Sequence, residues 1–258
     1  MMDTLALVVQ KFELFLLLLA RCSAIFIASP IFGRRNIPAA FKIGLSLFMS
    51  IILLNVVKET PVLAGSILQL AVLIAKEVMV GLVIGLVTYI VFTALYFAGE
   101  IIDMKTGFGI VNVLDPQSNT QVPIMGNFLY IFTLILFITI DGHLMLISAL
   151  ARSFDIVPAT RMQVTASSVA EFVSILNSTF VIGFKISAPV VAAIMLTDVA
   201  LGILSRTMPQ MNVFMVGMPL KILLGMFMLM IMIPAFAVII EVLFRNTADS
   251  IYRVLLQL

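Results

Sequence analysis

The sequence predicts an all-α, integral membrane-type protein of about six long, partly kinked helices, and three observations carry that prediction. Of 258 residues, 62% are hydrophobic and 11% charged, with a mean hydropathy of +1.23; soluble domains run at roughly 45–50% apolar and about 25% charged. The apolar residues gather into six stretches, most reaching the roughly 17–25 residues that a spanning helix requires. Glycines and prolines interrupt the longer stretches, where bends and breaks are expected. No Pro/Gly/Ser-rich or highly charged run is long enough for a linker, so residues 1–258 are read as one domain.

The first stretch, 12–31, follows an amino terminus, MMDTLALVVQKFE, whose acidic residues flank Lys11 and which lacks a small-residue cleavage site. It is therefore not read as a cleavable signal peptide. Cys22, the single cysteine, lies in this stretch; it has no cysteine partner, and one histidine cannot complete a zinc site with it, so it reads as a small buried hydrophobe. The second stretch, 41–57, is marginal in length. The third, 66–98, and sixth, 213–244, would extend near 50 Å as helices and overshoot a hydrocarbon core of about 30 Å. They must tilt, bend or leave the bilayer. Gly81 and Gly85 interrupt the third, Pro189 the fifth (178–204), and Pro219 and Pro234 the sixth; the fourth is 124–150. The connections 33–40, 58–65, 99–123, 151–177 and 205–212 are too short for separate domains, and 155–158 reads as a turn.

Charge placement does not fit a simple multi-pass topology. If every stretch spans, one side carries Arg34, Arg35, Lys42, Lys105 and Arg206, the other Lys11, Lys58, Arg152, Arg161, Arg245 and Arg253, so the positive-inside rule decides nothing. Arg21, Lys76, Glu77, Asp141, Lys185, Asp198, Lys221 and Glu241 lie inside apolar stretches, at a cost of roughly 2.5–3.5 kcal/mol each near a bilayer centre. Adjacent Lys76 and Glu77 point about 100° apart, and Lys185 and Asp198 are about 20 Å apart along a helix, so neither pair closes on itself. Partners must come from other helices or other subunits. Arg21, Asp141 and Glu241 read as interhelix pairs or snorkelling ends; Lys76, Glu77 and Lys185 are the stronger functional candidates, suiting an aqueous channel or a tightly packed oligomer. The net charge of +2 is spread singly, and no basic patch suits nucleic acid.

The connection 99–123 sets bulky apolar groups beside glycines: Gly107 and Gly109 flank Phe108, and Ile110, Val111, Val113 and Leu114 follow. Such a segment admits two readings, a flexible plug that closes a pore by filling it and excluding water, or a buried re-entrant turn. Methionine numbers 17, with a cluster at Met208, Met211, Met215, Met218, Met226, Met228, Met230 and Met232. Thioethers adapt to irregular shapes, for sealing around cargo or for filling gaps between helices. No HExxH, GxSxG, Walker-type GxxxxGK or paired-cysteine motif is present. Asp141 and His143 lack the nucleophile or further ligands that an intramembrane enzyme would need.

Four segments carry a resemblance: SPIFGRRNIPAAFKIGLSL (29–47), GEIIDMKTGFGIVNVLDPQSNTQVP (99–123), DGHLMLISALARSF (141–154) and LSRTMPQMNVFMVGMPLKI (204–222). In this order and spacing they resemble the FliR family of flagellar export-gate proteins, homologous to the SctT proteins of injectisome type III secretion, and the DGH and VLDPQSNTQVP wording is the more flagellar. The resemblance implies a non-enzymatic subunit, without cofactor or metal, whose single copy completes a helical ring with several FliP-like and FliQ-like subunits. Exported flagellar proteins would pass unfolded through the centre. FlhB-like and FlhA-like export components are further implied partners, with membrane lipid around the assembly, in the bacterial inner membrane at the flagellar basal body.

In that family the loop after the third stretch is a plug, which maps here to Gly107, Phe108, Gly109, Ile110, Val111, Asn112, Val113 and Leu114. A methionine-rich ring, contributed chiefly by the FliP-like subunit, seals beside it; Met208, Met211, Met215 and Met218 are this chain's candidates for sealing or packing. Family members look like a FliP-like front part, here 1–177, fused to a FliQ-like hairpin and tail, 178–258, with the hairpin over about 178–244 and its turn near 206–217. A surrounding ring would leave Lys76, Glu77, Lys185, Asp198 and Lys221 as buried charges satisfied by neighbouring subunits. The competing reading is a secondary transporter of a small solute, with Lys76, Glu77, Lys185 and Asp198 near broken helices. It predicts an internal repeat, which the sequence does not contain.

Overall fold

The computed structural model describes residues 2–34, 36–57, 65–108, 123–210 and 212–258. Among them are seven helices and no strand: α1 (Met2–Ala28), α2 (Ala39–Val56), α3 (Ile67–Thr106), α4 (Ile124–Thr139), α5 (Gly142–Ile156), α6 (Ala166–Thr207) and α7 (Val213–Leu255). The expected all-α, membrane-type class is thus observed. By length and composition α2, α3, α6 and α7 suffice to cross a membrane, and α4 with α5 adds a fifth span if that broken pair is counted as one.

The elements differ from expectation in three places. The fourth apolar stretch is not one helix: it breaks at Asp141, whose φ of 57° places it in the left-handed region, a conformation that aspartate tolerates better than most residues. The 99–123 and 151–177 connections are partly helical, because α3 continues to Thr106 and α6 begins at Ala166. The long helices also run through their expected breakers: α3, α6 and α7 hold 40, 42 and 43 residues, about 60 Å or more each.

Contacts divide the chain into two units. The first comprises Met1–Ile90, Asp141–Leu176 and Phe244–Leu258. Its core gathers Leu18, Cys22, Ile25, Ile84, Phe154 and Ile251, which places Cys22 in the apolar interior as the sequence suggests. Gly81 and Gly85 are crossing points and not breaks: a Cβ at Gly81 would stand 2.5 Å from the Arg21 carbonyl oxygen, and one at Gly85 2.5 Å from Ala28 Cβ. Small residues one helical turn apart let two backbones approach. The same contacts, rising together in both numbers, make α1 and α3 parallel.

The second unit comprises Val91–Ile140 and Asn177–Leu243. Phe97 meets Phe180 edge-on with ring centroids 5.4 Å apart, and a Cβ at Gly183 would stand 2.8 Å from the Ala94 carbonyl; these pairs run in opposite directions, so α3 and α6 are antiparallel there. Phe92 packs against Tyr130 and Phe137 of α4 at 5.6 and 5.5 Å. Helices α6 and α7 form a hairpin, read from Leu201 against Gly217, Asp198 against Lys221 and Ile194 against Gly225. Its turn occupies the few residues between Thr207 and Val213.

Candidate functional site

Each buried charge of the first unit has its partner within the chain. Arg21 Nε donates to Glu77 Oε2 at 2.7 Å, Nη1 to Ser153 Oγ at 3.0 Å and Nη2 to the Val157 carbonyl at 3.0 Å, while its guanidinium carbon lies 4.0 Å from the centre of the Phe154 ring. Glu77 Oε1 accepts from the Thr160 amide at 2.8 Å, holding a residue whose φ is 78°. Arg21 and Glu77 side chains are both fully buried. Glu77 is therefore committed inside the chain and does not wait for a charge on a neighbour. Together Arg21 and Glu77 fasten α1, α3, α5 and the turn after α5.

The root of the 107–122 loop is built in the second unit. Helix α3 ends at Gly107, whose φ of 92° suits glycine and whose amide donates to the Asp103 carbonyl at 3.2 Å. Helix α4 starts after Pro123, which supplies no side-chain cap. Asp103, 5% exposed, supplies the cap from α3: Oδ2 accepts from the Met125 amide at 2.9 Å and the Gly126 amide at 3.3 Å, and Oδ1 from Met125 at 3.1 Å. A carboxylate against the orphan amides and positive end of a helix is favourable on both counts. Beside it the helices touch, since a Cβ at Gly99 would stand 2.4 Å from Gly126 Cα. The two ends of the loop are thus fastened to one residue, the Gly107 end to the Asp103 backbone carbonyl and the α4 end to its carboxylate.

A cavity of about 380 Å³ adjoins this root, lined among others by Thr106, Gly107, Asp198, Gly217, Met218 and Lys221. Lys221 and Asp198 form an ion pair across the hairpin, and Met218 Cγ lies 3.7 Å from where a Gly107 Cβ would be. Four of the residues singled out in the sequence, Gly107, Met218, Asp198 and Lys221, therefore share one cleft. Asp198 and Lys221 pair with each other across helices of the same chain. Phe108 is half-buried, Met208 and Met215 are exposed, Lys185 is exposed and Lys76 half-buried. Gly109, Ile110, Val111, Asn112, Val113, Leu114 and Met211 lie outside the described residues.

Residues 12–247 match the sequence pattern of the family described as "Bacterial export proteins, family 1". The chain belongs to this family. It is 36% identical over 252 residues to the flagellar biosynthetic protein FliR of Bacillus subtilis (strain 168), covering 96% of each chain. It is 29% identical to FliR of Pectobacterium carotovorum over 92% of this chain and 91% of that one, and 26% identical to FliR of Escherichia coli (strain K12) over 93% and 92%. The FliR resemblance of the four segments is thereby established, and with the apolar helices it makes the chain a multi-pass membrane component of flagellar protein export.

Sequence reasoning missed Asp103. Its signal was present: an aspartate one turn before a glycine, at the foot of a loop whose far end is a proline followed by an uncapped helix. The four-residue spacing of Gly81 and Gly85 is the signal of a close helix crossing and not of a break.

Proposed function

We propose that this FliR-family chain is a core subunit of the flagellar type III export gate in the bacterial inner membrane, and that its 107–114 segment closes the protein-conducting path. The observation that supports this reading is the doubly anchored root: Gly107 ends α3 and Asp103 caps α4, so an apolar, glycine-bearing segment is held at both ends beside the cleft at Lys221 and Asp198.

Assembly with FliP-like and FliQ-like subunits is supported by unsatisfied apolar surface. Within the most apolar 18-residue window of α7 only 17% is buried inside the chain, and in α2 only 22%; faces of this size mark lipid or protein contacts. The hairpin of α6 and α7 is the proposed FliQ-like part (178–258), and residues 1–177 the FliP-like part, joined inside the unbroken α6. Lys185, exposed on α6, is the charge best placed for a neighbouring subunit. FlhB-like and FlhA-like components and exported flagellar proteins complete the proposed partners. The solute-transporter reading has less support, because Glu77 is spent on Arg21 and Asp198 on Lys221.

Deletion of residues 107–114 in cells carrying the whole assembly tests the gate reading. The expected result is ion leak across the inner membrane, recorded as loss of membrane potential on induction. Unchanged potential with normal assembly levels would overturn it.

A further inference from the structure

Two helices of the second unit fasten the last turn of α3. Gly99, Asp103 and Thr106 stand at spacings of four and three and so share one face of α3. That face meets the start of α4 at Gly99 and Asp103, and it meets α7 at Thr106, where a Cβ on Gly225 would stand 2.5 Å from Thr106 Cγ2. Thr106 has little room to give way. It is 1% exposed, and its hydroxyl donates to the Ile102 carbonyl at 3.0 Å, a bond that fixes the rotamer of an already stiff side chain. Met218, seven residues before Gly225 and so on the same side of α7, reaches the residue that follows α3, its Cγ 3.7 Å from where a Gly107 Cβ would be. Helix α7 thus touches both residues from which the 107–114 segment departs.

We propose that Gly225 is a positioning residue for the pore-closing segment: the absence of a side chain there lets the α7 backbone seat Thr106 directly, and with Met218 it makes α7 a support for the segment's root. This role rests on the gate reading and adds to it that the hairpin of α6 and α7, together with the α4 cap, sets where the segment leaves the helix. A methyl at Gly225 must push α7 away from α3 or turn Thr106 out of its hydroxyl bond. Either movement displaces residues 106 and 107, because a close-packed interior passes on an added methyl instead of absorbing it. Gly202 of α6 offers the contrast: nothing stands within 4 Å of its Cβ position, so a methyl there meets open space within the chain.

The test records inner-membrane potential on induction of the whole assembly, with the 107–114 deletion as the leak reference and co-purification of the tagged chain with its FliP-like and FliQ-like neighbours as the measure of assembly. Gly225→Ala should lose part of the potential, less than the deletion does, at unchanged assembly. Thr106→Ser removes the methyl that the new Cβ meets and keeps the hydroxyl, so Gly225→Ala combined with Thr106→Ser should restore the potential. In the full chain in detergent, Gly225→Ala should quicken limited proteolysis within 108–122, the double variant should return it to the original rate, and Gly202→Ala should leave it unchanged. Full potential in Gly225→Ala beside a leaking deletion overturns the positioning role and leaves the gate reading standing, whereas a deletion that does not leak removes both. A leak that Thr106→Ser fails to rescue also overturns the role, since α7 would then be disturbed as a whole. Should Gly225→Ala fail to assemble, Met218→Ala, which adds no bulk, carries the same expectation; full potential with unchanged cleavage in that variant overturns the proposal.

Discussion

Arg21 donates from all three of its side-chain nitrogens inside the chain, and Glu77 accepts on both oxygens. A buried pair of this kind adds little net stability over an apolar pair, but removing one partner strands a desolvated charge at a cost of roughly 3–5 kcal/mol. Arg21→Met should therefore lower the thermal midpoint in detergent far more than the double variant Arg21→Met/Glu77→Leu; a double variant worse than both singles would contradict this account. Asp103 acts differently, because it caps a helix. Asp103→Leu should cost about 0.5–2 kcal/mol, and limited proteolysis should cut more quickly within 108–122. Unchanged cleavage would mean that the loop does not depend on this anchor.

Among the elements, the hairpin of α6 and α7 has a register that chemistry can check. With Cys22 replaced by Ser, the only native thiol is gone, and Asp198→Cys with Lys221→Cys should cross-link under mild oxidation while Asp198→Cys with Phe214→Cys, two turns away, should not. The apolar stretches announced these helices by their length, 205–212 read as the polar connection between them, and the FliR resemblance implied a hairpin turn near 206–217. Helix ends were harder to read. In α3 the residues 99–106 look polar enough for a connection, yet Asp103 and Thr106 are buried by contacts with α4 and with Gly225 of α7, and only packing shows that. Pro189, Pro219 and Pro234 did not end their helices, since a proline removes one amide bond that surrounding contacts make good.

For the whole molecule, the sequence announced both the apolar excess and the anomalous charges, and four of those charges are absorbed by contacts between residues on different helices: Arg21 with Glu77, Asp198 with Lys221. A single sequence places such residues on faces without saying which faces meet. The apolar surface that these pairs leave uncovered still needs partners. Native mass spectrometry of the tagged chain co-expressed with FliP-like and FliQ-like subunits should show one discrete complex with a single copy of this chain; a free monomer beside stable neighbours would sink the assembly proposal.

Because Asp103 and Gly107 hold both ends of the loop at one place, its reach is bounded by covalent geometry. Residues 108–122, stretched out and back at about 3.4 Å per residue, extend no further than roughly 25 Å from their root. If the proposed plug closes an opening, that opening must lie within this radius of the place where α3 ends and α4 begins.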